Sequence, residues 1–206
     1  MTGPLVTAIV LAAGGSTRFG RPKLLEPLPA YQGRPMVSVI VDTVLAAGLH
    51  QVIVVVGSQA REITEVLVGR PVKIVVNSHW AEGLSTSLRV GLEHVDPRSE
   101  AALFVLADQP AITPQLIRSL VEAYQATGAP IVAPTYRGRL GNPRLFSRRT
   151  FDDLRQITGD EGGRSVLKSG RFEVVQVEVD QEAILVDVDQ PEDLYHFTLN
   201  KGKGER

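Results

Sequence analysis

The sequence predicts a three-layer, doubly wound α/β fold with a mostly parallel sheet. Short apolar runs rich in β-branched residues alternate with segments of helical spacing, which is typical of successive βαβ units. The runs contain few polar residues, as expected of strands that helices cover on both faces. Glycine or polar residues follow four of the runs, and ligands of such sheets bind where the carboxyl ends of strands meet.

Five apolar runs predict the parallel strands, because β-branched residues favour extended chain. They comprise residues 8–11, 52–56, 72–76, 102–106 and 131–133. The segments between them predict helices over residues 36–47, 60–68, 85–94 and 114–126. Thr113 followed by Pro114 favours a helix start, since a hydroxyl residue is preferred at the N-cap and proline at the first helical position.

The pattern loosens after Pro134. The expected elements are an irregular or hairpin excursion over 135–146, helices near 147–155 and 163–169, strands near 172–178 and 183–187, and a last helix from about 191. A chain of 206 residues suits one hydrophobic core, and no linker interrupts it. We therefore expect a single domain over residues 1–200 and a polar tail over 201–206.

Composition excludes several functional classes. A net charge of −1 disfavours the concentrated excess of Lys and Arg that nucleic-acid binding needs. The absence of cysteine excludes disulfides, thiolate metal sites and a cysteine nucleophile. No apolar run approaches the ~20 residues that span a bilayer, and the N-terminus lacks a signal-peptide pattern. We expect a cytoplasmic protein with neither nucleic acid nor membrane as a partner.

A glycine turn and three cations follow the first predicted strand. Gly14 and Gly15 let backbone N–H groups approach an anion. Arg18, Arg21 and Lys23 then supply positive charge that offsets much of the charge of a triphosphate, while a metal ion neutralises the rest. The alternative is a tight turn with solvated basic side chains, since glycine turns and surface cations are both common.

Two well-known phosphate loops do not match this segment. The G-x-G-x-x-G fingerprint fails at Ser16 and Phe19, and the P-loop pattern fails at Arg21 and Pro22. Residues 11–20, LAAGGSTRFG, followed by a lysine at position 23, instead resemble the L-A-A/G-G-x-x-x-R-[MF]-G-x-x-K motif of a family of nucleotidyltransferases. That family includes molybdenum-cofactor transferases, sugar-nucleotide pyrophosphorylases and methylerythritol-phosphate cytidylyltransferase. The resemblance extends over almost the whole chain and implies a Rossmann-like nucleotidyltransferase fold.

The resemblance implies a role for each residue of this loop. The loop wraps the phosphates of a nucleoside triphosphate, and Arg18 and Lys23 contact them as catalytic cations. The nucleotide-binding residues that it implies are Leu11, Ala12, Ala13, Gly14, Gly15, Ser16, Arg18, Lys23, Gly57, Asn77, Gly83 and Ser87.

Residues 77–88 supply the expected base and ribose site. They resemble the family's N-x-x-x-x-x-G-x-x-x-S region, in which the glycine and hydroxyl residues hold the nucleoside. Ser85 in the same stretch is also a candidate helix cap. Trp80 and His79 are expected to be packing and surface residues rather than catalysts.

Asp108 is the first candidate metal ligand and a candidate catalytic residue. It directly follows the apolar run 102–106, and Thr113 already serves as the cap of the next helix. A carboxylate at a strand end beside a phosphate loop suits Mg²⁺, which prefers one or two carboxylates with phosphate oxygens and water. The residue also resembles the metal aspartate of the family's A-D-x-P motif.

Asp189 is the second candidate metal ligand. It precedes Q-P-E-D-L and resembles the residue before the family's T-P-E-D-L, which completes a Mg²⁺ site. A capping box formed with Glu192 is the alternative. Asp187, one strand period away on the same face, is the second choice of ligand. Mg²⁺ is the one cofactor that the resemblance implies.

Three further segments resemble the molybdopterin cytidylyltransferase branch. These are residues 12–14, the run Gly141, Asn142 and Pro143, and residues 159–164. The resemblance implies transfer of CMP from CTP to the phosphate of molybdopterin or the molybdenum cofactor, with Gly141, Asn142 and Pro143 binding that substrate and a molybdoenzyme receiving the product. The branch commonly has histidine where Asn142 stands, so other acceptors stay open. The alternatives are a nucleotidyltransferase acting on a sugar or polyol phosphate and a non-catalytic module that hands over a cofactor.

Overall fold

The computed structural model describes residues 3–16 and 19–194. Arg18, the predicted tail over 201–206 and the predicted last helix beyond Leu194 lie outside these residues. No helix in the described part of the chain is long and apolar enough to cross a membrane.

The described chain alternates strands and helices as the sequence predicts. The strands are β1 (Val6–Ala12), β2 (Pro27–Leu28), β3 (Arg34–Pro35), β4 (Gln51–Val56), β5 (Lys73–Val76), β6 (Ala101–Leu106), β7 (Ile131–Tyr136), β8 (Arg139–Leu140), β9 (Arg144–Ser147) and β10 (Val174–Glu178). The α-helices are α1 (Met36–Ala46), α2 (Ala60–Val66), α3 (Leu84–Glu93), α4 (Pro114–Thr127), α5 (Phe151–Arg155) and α6 (Arg164–Lys168). Short 3-10 turns occupy Lys23–Leu25, Pro29–Tyr31, Trp80–Glu82, Arg148–Thr150 and Glu182–Leu185.

One mostly parallel sheet of eight strands organises the fold. Its order is β10-β7-β9-β6-β1-β4-β5, with β8 paired to β7. Strands β6, β1, β4 and β5 run parallel, whereas β9 runs antiparallel between β6 and β7. Core residues of α1, α2 and α4 pack on one face and those of α3, α5 and α6 on the other. The predicted three-layer α/β fold is therefore confirmed.

Strand β1 shows why its residues 8–12 are apolar without alternation; its one polar residue, Thr7, is hydrogen-bonded to Gln51 and Ser99. All seven of its residues are buried. Ala8 and Val10 point into the core under α1 and α4, whereas Ile9 and Leu11 point into the core under α3. Because successive side chains of a strand face opposite sides, a strand between two helical layers needs apolar residues at every position.

The prediction of a strand over residues 183–187 is wrong. Glu182–Leu185 forms a 3-10 turn, and the buried Ile184 packs beside Gly141, where an added Cβ would lie 2.5 Å from the Ile184 carbonyl oxygen. That carbonyl accepts a hydrogen bond from Asn142 N at 2.9 Å. The apolar residues of this segment therefore fill space beside a loop rather than join the sheet.

Asp42 on α1 anchors the two-stranded ribbon of β2 and β3, which follows the glycine turn. Its carboxylate accepts hydrogen bonds from Arg34 on β3 and from Arg70 Nε, the latter at 2.7 Å. Burial alone would raise the pKa of Asp42, but the hydrogen bond and charge of Arg70, and then those of Arg34, lower it. The two arginines thus hold β3 and the chain before β5 against one helix.

We predict that Asp42→Asn destabilises the protein in a pH-dependent way. A carboxyl group whose pKa is lowered by folding adds stability above its unfolded pKa of about 3.9 and loses it as the pH falls. We expect a loss of about 1 kcal/mol at neutral pH, because these ion pairs are partly exposed. Urea unfolding of variant and wild type at pH 7 and pH 3 measures it, and an equal difference at both pH values contradicts it.

We predict that Gly91→Ala destabilises the protein although alanine is the better helix former. A Cβ atom at Gly91 would lie 2.6 Å from Ile9 Cγ2, where α3 crosses β1. The helix propensity gain of about 1 kcal/mol is outweighed by overpacking of about 1–3 kcal/mol. Urea unfolding measures the loss. In a double-mutant cycle Ile9→Ala relieves the overlap, so additive effects of the two changes would contradict this account.

Candidate active site

A cleft of about 490 Å³ opens at the carboxyl edge of the sheet. Five parts of the chain line it: the loop after β1, the turn after β5 together with the start of α3, the end of β6, the loop after α5 and the segment that carries Asp189. The predicted site residues that line it are Leu11, Ala13, Gly14, Gly15, Ser16, Lys23, Gly83, Ser87, Asp108 and Asp189. Residues from distant parts of the chain thus meet where a doubly wound sheet binds ligands.

Ser16 shapes the glycine loop. Its backbone has φ +53°, and its carbonyl accepts hydrogen bonds from Phe19 N at 3.0 Å and Gly20 N at 3.2 Å. Its side-chain Oγ accepts a hydrogen bond from Lys23 N at 3.2 Å. An added Cβ at Gly14 would meet nothing within 4 Å, so the space above this glycine is open. The loop therefore curls back toward Lys23 and leaves its glycine backbone accessible to a ligand.

Lys23 joins the two candidate metal ligands. Its Nζ lies 3.0 Å from Asp108 Oδ2 and 3.5 Å from Asp189 Oδ1, and its side chain is only 12% exposed. Val188 N donates a hydrogen bond to the Asp108 carbonyl at 2.9 Å, which holds Asp189 beside Asp108. Two carboxylates far apart in the sequence thus face one ammonium group, which balances part of their charge.

This donor set fits a magnesium ion that completes its shell with substrate. Asp108 and Asp189 supply two carboxylates, and Mg²⁺ is commonly held by one or two carboxylates together with substrate phosphates and water. The part of the chain that the structure describes has no group of three or more His, Cys, Asp and Glu side chains arranged for a metal. A metal here would therefore depend on ligands from a bound phosphate.

Asp187 and Asp193 have other tasks in the same segment. Asp187 Oδ1 accepts a hydrogen bond from Gln109 Nε2 at 2.6 Å. Burial of the Asp187 carboxyl group, and then the negative charge of Asp108, raise its pKa. The Asp193 carboxylate accepts hydrogen bonds from the backbone N–H groups of Asp189 and Gln190, both at 2.8 Å. Asp193 therefore caps this turn. The Asp189 N–H, which a capping box would pair with the Glu192 side chain, donates to Asp193 instead.

Arg21 of the glycine loop differs from Lys23 in its contacts. Arg21 Nε and Nη2 donate to the Glu26 carboxylate at 2.6 and 2.8 Å, and its guanidinium lies 5.6 Å from the Phe19 ring centroid. Arg21 does not line the cleft. Arg18 lies outside the described residues. Among the described cations of this loop, Lys23 alone lines the cleft.

Asn77 and Gly57 support the cleft from outside its lining. The buried Asn77 Nδ2 donates to Thr86 Oγ1 at 2.8 Å and Ser87 Oγ at 3.0 Å. A Cβ at Gly57 would lie 2.6 Å from the Ala13 carbonyl oxygen and 2.8 Å from Trp80 Cβ. Asn77 thus orients the hydroxyl of Ser87, and Gly57 lets the glycine loop and the Trp80 turn approach each other.

Gly141, Asn142 and Pro143 lie at the same edge of the sheet but do not line the cleft. Gly141 N donates to the Pro134 carbonyl at 2.9 Å. The Asn142–Pro143 peptide bond is cis. Ala12 is buried within β1 and also lies outside the lining.

Several residues of the cleft lining are not among the predicted site residues: Phe19, Leu24, Trp80, Ala81, Leu84, Leu106 and Asp160. Trp80 lies in the loop after β5, within the segment 77–88 that resembles the family's nucleoside site, although its isolation in the sequence favours a packing role. Asp160 lies within residues 159–164, and its Oδ1 accepts a hydrogen bond from Leu84 N at 3.1 Å. The approach of Asp160 to α3 is a tertiary contact that no local pattern indicates.

A family model and several known proteins match the chain. The model of the MobA-like NTP transferase domain matches residues 8–177. The chain belongs to this family. Nucleotidyl transfer is the activity of the family, and nucleoside triphosphates are its substrates. The chain of this transferase is 29% identical to nicotine blue oxidoreductase from Paenarthrobacter nicotinovorans, over 94% of its own length and 97% of that protein.

Other relatives of this transferase extend the comparison. The chain is 34% identical to the bifunctional protein GlmU of Sorangium cellulosum. The match covers 75% of this chain but only 33% of GlmU. The crystal structure of Rv0371c from Mycobacterium tuberculosis superposes with a TM-score of 0.85 at 33% identity, over 95% of this chain and 98% of that one. A manganese complex of Rv0371c superposes with a TM-score of 0.82 at 31% identity, over 95% and 99% of the two chains.

We predict that Gly83→Ala distorts the cleft where the turn after β5 meets the loop after α5. Gly83 has φ +112°, and a Cβ there would lie 2.7 Å from the Gly159 carbonyl and 2.9 Å from Asp160 Oδ1. We expect a stability loss of about 2 kcal/mol or more, since backbone strain and overlap add. Gly138→Ala is the matched control, because Gly138 has φ +74° and open surroundings.

Two measurements check this prediction. Urea unfolding compares the two alanine variants with wild type. The fluorescence of Trp80, the single tryptophan of the chain, reports on the cleft. We expect a shifted emission in Gly83→Ala only. Equal stability losses with unchanged emission in both variants would mean that the contact with residues 159 and 160 has no effect.

Proposed function

We propose that the protein transfers CMP from CTP to the phosphate of molybdopterin or the molybdenum cofactor and releases pyrophosphate in a Mg²⁺-dependent reaction. The observation that carries the proposal is the position of Lys23 Nζ, 3.0 Å from Asp108 and 3.5 Å from Asp189, beside an open glycine loop. CTP and the pterin substrate are proposed because residues 12–14 and 141–143 resemble the molybdopterin cytidylyltransferase branch.

The reaction needs positioning and charge neutralisation rather than a general base. A phosphate monoester has a second pKa near ~6 and is largely ionised at neutral pH. Its oxygen forms the new bond to the α-phosphorus of CTP, the bond from that phosphorus to the bridging oxygen breaks, and the electron pair leaves with pyrophosphate. The protein has to hold the two phosphates in line and offset the developing charge.

Each proposed site residue has a task in this reaction. The backbone of Gly14 and Gly15 binds the triphosphate, and Lys23 and Arg18 stabilise the charge on the departing pyrophosphate. Asp108 and Asp189 would hold Mg²⁺, and the bound ion would supply positive charge beside the phosphates of the substrate. The manganese complex of Rv0371c supports the use of a divalent metal in this family.

Pyrophosphate release with each of the four NTPs, with and without molybdopterin, tests the proposal. We expect release with CTP and molybdopterin together. Release that requires a sugar or polyol phosphate instead would favour the second transferase hypothesis. Nucleotide binding without release under any condition would favour a non-catalytic module that hands over a cofactor.

We predict that Asp108→Asn abolishes Mg²⁺-dependent pyrophosphate release without unfolding the protein. The carboxylate is lost but its size and the backbone contact with Val188 remain. We expect the rate to fall about 100-fold or more, as for removal of a group that stabilises transition-state charge. Asp152→Asn is the control, because Asp152 lies on the surface of α5, 87% exposed and away from the cleft. Full activity of Asp108→Asn would remove Asp108 from the mechanism.

A further inference from the structure

Arg144 is an unusual residue for its place in the sheet. It is the first residue of β9 and pairs in register with Phe104 on β6, at the end of β6 that leads to the cleft. The side chain is half-buried. Phe146, two residues further along β9, packs edge-to-face on Phe104 at 5.8 Å between ring centroids. Residues two apart on a strand point to the same face of the sheet. Arg144 therefore shares a face of β9 with Phe146, which belongs to the hydrophobic core.

No acidic group balances this charge within residues 3–16 and 19–194. The one hydrogen bond of the Arg144 side chain within these residues is from Nε to the Gly141 carbonyl, at 2.9 Å. No described carboxylate oxygen lies within 4.0 Å of Arg144 or Arg164. Burial, and then the like charge of Arg164, lower the pKa of Arg144. Since buried charges in proteins are normally paired, a half-buried arginine without a carboxylate partner among the described residues is a candidate site for an anion.

Packing fixes Arg164 near the same face of β9. A Cβ at Gly163, the residue before it, would lie 2.7 Å from Phe146 Cζ, so the backbone here rests on the Phe146 ring. A Cβ at the preceding residue, Gly162, would likewise lie 2.9 Å from Leu84 Cδ2. Asp160 in this loop lines the cleft. One short loop therefore forms a wall of the cleft and brings a second arginine beside the first.

The topology places this pair on the side opposite the nucleotide loop. In the sheet order, β6 separates β1, which carries the glycine loop, from β9, which carries Arg144. Asp108 follows β6 and lies between the two sides. If the triphosphate lies on the β1 side, a second substrate that reacts at Asp108 approaches from the β9 side.

We propose that Arg144, with Arg164 beside it, forms an oxyanion-binding site that holds an anionic group of the acceptor substrate. A guanidinium binds phosphate or carboxylate oxygens through two parallel N–H groups, and Arg144 has its Nη groups left for such a ligand. The existence of the anion site follows from the unpaired charges, whereas its assignment to the acceptor rests on the proposed transferase function. Arg144 is then a residue that selects acceptors by charge.

Calorimetric titration with inorganic phosphate tests the anion site directly. The titration is run without CTP and with saturating CTP, so that any phosphate bound at the glycine loop is recognised by its loss when CTP is present. We expect phosphate to bind wild type and to bind Arg144→Gln about 10- to 100-fold more weakly, because a charge-assisted hydrogen-bond pair is lost. Glutamine keeps a side-chain N–H for the Gly141 carbonyl. Arg164→Gln, at an exposed position, provides a second variant if Arg144→Gln unfolds.

Arg118→Gln is the matched control for charge. Arg118 is also half-buried and donates to a single carbonyl, that of Ala46 at 3.0 Å, but it lies on α4 at the end of α1, apart from the cleft. We expect its phosphate affinity to equal that of wild type. Absence of phosphate binding by wild type, or equal affinity of wild type, Arg144→Gln and Arg164→Gln, would overturn the anion site.

Steady-state pyrophosphate release tests the assignment to the acceptor. We expect Arg144→Gln to raise the KM for the acceptor about tenfold, with the KM for CTP and kcat nearly unchanged. A merely structural role would change both KM values or kcat together, and an unchanged acceptor KM would contradict the assignment. If wild type releases no pyrophosphate, the transferase proposal fails, while the phosphate titration still decides the anion site.

Discussion

The contact of one half-buried ammonium group with two carboxylates determines how this active-site candidate is assembled. Lys23 comes from the loop after β1, Asp108 follows β6, and Asp189 follows the 3-10 turn Glu182–Leu185. The carboxylates would repel each other without a cation between them. The hydrogen bond from Val188 N to the Asp108 carbonyl holds the late segment in place, and Lys23 offsets the charge. Substrate and metal would enter a site whose negative charge is already partly balanced.

The antiparallel strand β9 gives the two sides of the cleft different chemistry. Parallel strands β1 and β4 are followed by glycine and serine residues, and β5 is followed by Asn77 and Ser78, which are residue types that suit phosphate and nucleoside. Strand β9 enters the sheet from the opposite direction, so its first residue, rather than its last, pairs near the end of β6 that leads to the cleft. That residue is a half-buried arginine. The reversed direction of β9 therefore places a cation, rather than another glycine turn, on the β9 side of the cleft.

Local patterns predicted most of the regular structure but not every cleft residue. The runs around β1 and β4 are apolar at each position because both faces are covered, and this signal needs no knowledge of partners. The apolar residues at 183–187 give a similar local signal, yet Ile184 packs beside Gly141 instead of pairing with a strand. Asp160 enters the cleft because a loop packs on α3, a contact between residues far apart in the sequence.

The sequence by itself determined the α/β class, the positions of the glycine loop and of Asp108 after their strands, and the resemblance to nucleotidyltransferases. These features depend on residues close together in the chain, where periodicity and turn chemistry act. Only the tertiary structure decided which charges meet. Arg21 pairs with Glu26, Lys23 reaches Asp108 and Asp189, and Arg144 lies near Arg164 with no carboxylate partner among the described residues. The physical reason is that electrostatic interactions depend on distance and burial, and both are set by how the helices and loops pack on the sheet.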